Sequence, residues 1–96
     1  MENELENALS RLEQLKKLHY YQCREDVKRI MEDNNTDGDY IESTLDRLLN
    51  YYDDEDFLDL FWKLINYVET FDRDIGILYR RQEELLNQGF KVERNI

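Results

Sequence analysis

The chain has 96 residues, enough for one domain with a modest core, and 23 acidic against 13 basic side chains give it a formal net charge of −10. That balance excludes a basic nucleic-acid-binding face, because the pairs Lys16-Lys17, Lys28-Arg29 and Arg80-Arg81 are each offset by nearby acids. A single cysteine, Cys23, excludes an internal disulfide and a cysteine-built zinc site.

No stretch approaches the roughly 18 uncharged residues that a membrane span takes, and the acidic start Met1-Glu2-Asn3-Glu4 is the reverse of a basic leader. A cytoplasmic protein without membrane contact is expected. The chain has no proline and only three glycines, with Leu, Glu, Asp, Arg and Lys at helical spacing. This predicts an all-α helical bundle, one domain over residues 1–96.

The first helix is predicted from Asn3 to Glu32. Its apolar stripe runs through Leu5, Ala8, Leu12, Leu15, His19, Cys23, Val27 and Ile30, with an extra step of four near His19 that straightens the seam. Cys23 is expected to be a buried free thiol. His19 lies four residues before it on the same face, the spacing that a Cys–His nucleophile on a helix would need. No glycine-rich phosphate loop, serine elbow or acidic metal motif accompanies the pair, so a core imidazole is expected, with no catalytic residues and no cofactor.

Asn34-Asn35-Thr36-Asp37-Gly38 then breaks the helix, since these residue types accept turn conformations. The stretch from Asp33 to Thr44 resembles an EF-hand calcium loop: Asp33, Asn35 and Asp37 stand at the first three side-chain ligand positions, Gly38 at the sharp turn, and Asp39 at the carbonyl ligand. The resemblance covers twelve residues and departs at its end, where Thr44 replaces the bidentate Glu and Tyr40 an aliphatic residue. Without that carboxylate, no metal site is assigned.

A short second helix is predicted from Asp39 to Tyr52, with Ile41, Leu45, Leu48 and Tyr52 inward. Asp53 or Asp54 can cap a third. From there Phe57, Phe61, Leu64, Val68, Phe71, Ile75, Leu78, Gln82 and Leu85 alternate steps of four and three, a coiled-coil-like seam whose phase runs unbroken past Gly76. The pattern gives a bundle of three helices, long, short and long, with the third ended by Gly89. A straight third helix overshoots the first and leaves Phe71, Ile75, Leu78, Gln82 and Leu85 without partners. Either a second copy covers them in a homodimer, or the chain breaks near Gly76 and returns as a fourth helix.

Eleven of the acids lie between Met31 and Leu60, with Arg47 as the single base there. This one stretch carries the whole net charge, and the rest balances. Clustered like charge lowers the stability of the compact state but speeds encounter with a basic partner. The expected partner-binding set is Asp39, Glu42, Asp46, Asp53, Asp54, Glu55, Asp56 and Asp59 for charge, with Tyr40, Tyr51, Tyr52 and Trp62 as aromatic anchors. Two readings follow. In the first, the protein occludes a basic surface of a nucleic-acid-handling protein or nuclease, with carboxylates standing in for phosphates, as in immunity, antitoxin or phage anti-defence proteins. In the second, it is a scaffold that self-associates through its coiled-coil seam.

Overall fold

The structure, a computed structural model, describes the backbone of residues 2–94 and the side chains of residues 3–88. Four helices follow one another: α1 (Glu2–Glu32), α2 (Gly38–Leu49), α3 (Glu55–Val68) and α4 (Arg73–Arg94). α2 runs against α1, since Tyr40 reaches Asp26 and Tyr51 reaches His19. α3 returns alongside α1, with Asp54 near Lys16 at one end and the Tyr67 hydroxyl on the Asn35 carbonyl at the other. Among the described residues, α4 packs on α2 and α3 and not on α1.

The core follows the apolar periodicity. Cys23, Val27 and Ile30 of α1 meet Ile41, Leu45 and Leu48 of α2, and Phe57, Phe61, Leu64, Ile65 and Val68 of α3 close the centre. Each large apolar side chain buried this way contributes about 1.5–3 kcal/mol. Cys23 is 2% exposed, and loss of solvent raises its thiol pKa.

The junctions are set by local polar chemistry. Asn34 takes a left-handed φ of 50°, Asn35 N–H donates to the Ile30 carbonyl, and Asn34 N–H to that of Met31. This pairing satisfies the last carbonyls of α1 and turns the chain sharply. Asp37 caps α2 by accepting from the Asp39 N–H, and Asp54 caps α3 by accepting from those of Asp56 and Phe57. Because α2 starts at Gly38, the second half of the calcium-loop-like stretch is helix. Thr44 is buried, donating to the Tyr40 carbonyl.

The long third helix expected from the heptad phase is not continuous. α3 ends at Val68, Thr70 Oγ1 donates to the Tyr67 carbonyl, and Asp72 accepts from the Ile75 N–H to start α4. The turn brings Ile75, Tyr79 and Leu86 back onto the core, where an unbroken helix would carry them into water. The predicted seam therefore splits: Ile75 and Gln82 are half-buried, whereas Phe71, Leu78 and Leu85 are exposed. Gly89 lies inside α4 and does not end it.

Gly76 is likewise helical, and its role is steric. A Cβ there would lie 2.4 Å from Glu69 Cγ, and Glu69 is held in place by two hydrogen bonds from Arg80. The guanidinium pulls the Glu69 carboxyl below its usual range. Gly76→Ala alone is expected to displace Glu69 and lower the melting temperature. In a Glu69→Ala background, the same substitution should raise stability by about 1 kcal/mol, the gain of Ala over Gly in a helix interior. Chemical denaturation of the four proteins of this cycle checks both signs.

One further difference concerns α1. Its 31 residues span about 46 Å, whereas the 12 of α2 and 14 of α3 span about 18 and 21 Å. It is α1 that overshoots. The bundle covers its second half, and Leu5, Leu12 and Leu15 remain 65%, 62% and 48% exposed on the stripe expected to be core.

Candidate functional site

The acidic segment begins with Arg47, its only base. Arg47 Nη2 lies 2.6 Å from Asp26 Oδ2 on α1, a residue outside the segment, and also donates to Thr44 Oγ1. Asp26 accepts a second bond from the Tyr40 hydroxyl. Burial first, and this bond second, raise the Tyr40 phenol pKa. The base thus serves the α1–α2 packing, and its described ion pair is with Asp26 and not with a carboxylate of its own segment.

Among the described ion pairs, Asp54 is the member of the eleven that meets a base, with Lys16 Nζ at 2.6 Å. The hydrogen bond from Lys16, helped by the backbone donors of the cap, holds the Asp54 carboxyl below its ordinary 3.8. Lys16 also lies over the Tyr51 ring, 5.9 Å from its centre. Asp54 is therefore a structural corner between α1, the α2–α3 turn and α3.

The remaining acids form two bands. Asp39, Glu42 and Asp46, at steps of three and four, share the outward face of α2. Asp39 and Asp46 are exposed and Glu42 is half-buried. Glu55, Asp56 and Asp59 are exposed on α3, where Asp56 and Asp59 border a groove shared with Arg24, Lys28 and Lys63. α2 and α3 bury their inner faces in one core, so the two bands look out from different sides of it. Asp53, exposed on the turn, lies between them. The single row expected along α2 and its corners is thereby divided: Asp56 and Asp59 sit among bases, and the described ion pairs include none of Asp39, Glu42 and Asp46.

The aromatic set is half-buried throughout. Tyr51 stacks on Phe57 at 4.2 Å between ring centres, and its hydroxyl lies 2.6 Å from His19 Nδ1. Tyr52 packs against the core. Trp62 lies edge-on to Phe61, with the Arg80 guanidinium of α4 5.3 Å from its ring centre. These rings hold the surface in place more than they project from it. His19 and Cys23 border one small cavity with Arg47, Asn50 and Tyr51, and the imidazole is engaged by the tyrosine.

Two functional contributors escaped the heptad reading. Tyr79 is 4% exposed and donates 2.8 Å to Asp46 Oδ1, positioning that carboxylate on the α2 face. Burial and this bond push the Tyr79 phenol far above its usual range. Its signal was the alternative spacing Ile75, Tyr79, Leu86, masked by Leu78 and Leu85. Asp26 was missed because it lies outside the acidic stretch.

No protein-family model, curated protein or solved structure matches the chain. Among the described residues, no helix is long and apolar enough to cross a membrane, and no three His, Cys, Asp or Glu side chains cluster to hold a metal ion.

The Asp54 corner has a pH signature. A carboxyl whose pKa is lower in the folded chain stabilises the fold above its unfolded value and loses that stabilisation as the pH falls through the folded one. Asp54→Asn keeps a cap but removes the charge, so its deficit relative to the native chain should be present at neutral pH, begin to shrink as the pH approaches the ordinary 3.8 and vanish only below the lowered folded value. Asp54→Ala should cost about 1 kcal/mol more than Asp54→Asn through the lost cap. Urea titrations across this pH range check both.

Proposed function

We propose that this is a small acidic helical binding protein that neutralises a basic surface on another protein by stoichiometric occlusion. The observation that supports this most strongly is the capture of Arg47 by Asp26, which leaves exposed Asp39 and Asp46 and half-buried Glu42 without an ion pair to the one base of their own segment. A preorganised stripe of like charge raises the rate of encounter with a cationic partner and discourages anionic ones. Three carboxylates over about 10 Å of helix, continued by Asp53 at the turn, could compete with phosphates for a nucleic-acid-handling protein or nuclease. This is the physics by which immunity proteins, antitoxins and phage anti-defence proteins act. The α2 band and Asp53 are assigned the contact, with Asp56, Asp59 and Glu55 adding to the long-range field.

A second reading, self-association through α4, is favoured by one observation: Leu78 and Leu85 on it stay 49% and 56% exposed, and Phe71 in the turn before it 40%. Under that reading Leu78→Asp abolishes assembly, and under the first it leaves partner capture intact.

The test is retention of host proteins on the immobilised chain at low and high salt. A basic protein should be held at low salt and released at high salt. Asp39→Asn, Glu42→Gln and Asp53→Asn combined should slow its association at least about tenfold with an unchanged melting temperature. Equal capture by the native and neutralised chains would reject the surface.

A further inference from the structure

The turn between α3 and α4 stops one residue short of being helix. The N–H groups of Glu69 and Asp72 reach four residues back, to the carbonyls of Ile65 and Val68, and those of Thr70 and Phe71 reach three. Only Asp72 separates this run from the start of α4 at Arg73. The bend contains no glycine, proline or left-handed residue, whereas the α1–α2 turn is fixed by Asn34 at a φ of 50°. Across it the heptad seam from Phe57 to Leu85 keeps its phase.

Two things keep the bend closed. The Asp72 carboxylate accepts from the Ile75 N–H, and Ile75, Tyr79 and Leu86 dock on the core. Because α4 is the last helix and packs on α2 and α3 alone, it can leave without dismantling the rest. Straightening at Asp72 would give the N–H groups of Arg73 to Gly76 the carbonyls of Glu69 to Asp72. In one copy this carries Ile75, Tyr79 and Leu86 into water. The vacated surface of α2 and α3 is already shaped for α4, so the segment that fits it without further design is α4 of a second copy.

We propose that the protein exchanges α4 between two copies, with α3 and α4 of each joined in one helix. The joined helices run antiparallel about a two-fold axis at the hinge, which brings the two Phe71 rings, 40% exposed in the single chain, beside that axis. Tyr79 of the second copy then donates to Asp46, so each acidic α2 face is completed by a residue from the other chain. Asp72, freed from its cap, approaches its own image beside Arg73 and Asp74. Like charge at the axis therefore opposes the exchange, and salt favours it. The inference gives the self-association reading a mechanism and rests on it.

The test combines mass and shape after each chain has been equilibrated just below its melting temperature, from about 1 to about 500 µM. By light scattering, the native chain should pass from monomer to dimer within this range. Asp72→Ala removes one cap per chain from the closed form and should strengthen dimerisation at least about tenfold. Arg73→Pro suits the first position of α4 but cannot continue a helix from α3, so it should stay monomeric with a near-native melting temperature. Cys23 is buried, so spin labels on Lys63→Cys and Arg81→Cys, diluted into unlabelled chain, report the shape of one copy. They should lie about 27 Å apart in the dimer fraction, the rise of a continuous helix, and closer in the monomer, where α3 packs on α4. A native chain that is monomeric at the highest concentration overturns the proposal together with the self-association reading. A dimer that Arg73→Pro keeps, or one whose label separation equals the monomer's, overturns the exchange alone and leaves α4 pairing side by side.

Discussion

The Asp26–Arg47 pair is the interaction on which the rest depends. Arg47 is half-buried, and Asp26 accepts from both its guanidinium and the Tyr40 hydroxyl, so one carboxylate fixes two positions of α2 against α1. As a partly solvated ion pair it adds only modestly to stability. Its larger effect is on sign: it withdraws the one cation from a stretch that otherwise holds only acids. Packing of α2 and the polarity of its outer face are thereby the same structural fact.

From this follows a division of labour among the carboxylates. Asp37 and Asp54 begin helices, where the positive end of the backbone dipole favours them in any protein. Asp46 is held by the buried Tyr79, a donor that orients it without cancelling its charge. The carboxylates of Asp39, Glu42 and Asp53 take part in none of the described ion pairs, although Asp53 adds to the field at Lys16. Asp46, fixed by a neutral donor, can present its charge with little side-chain entropy left to lose on contact.

Much of this architecture was legible from residue spacing. The end of α1 follows from Asn34 and Asn35, the starts of α2 and α3 from Asp37 and Asp54, and the buried set from a period of 3.6. What periodicity could not show was the break after Val68. Phe57 through Leu85 keep one phase because the turn residues Glu69–Asp72 happen to preserve the count, and phase reports neither length nor direction. The local cue was Asp72, a cap three residues before Ile75. Equally hidden was the choice of face on α4, where Leu78 and Tyr79 compete and the buried hydroxyl is reconciled by Asp46. The acidic stretch was plain in composition, but its split into two bands depends on how α2 and α3 oppose each other in three dimensions.

The mismatch in helix length has a consequence for how the chain orders itself. Starting a helix is the costly step, whereas lengthening one adds a hydrogen bond for each residue fixed. The packed half of α1 is a template that supplies the start, so its first four turns form by extension and melt from the tip inward. Their order is graded along the axis and is linked to whatever their leucines touch.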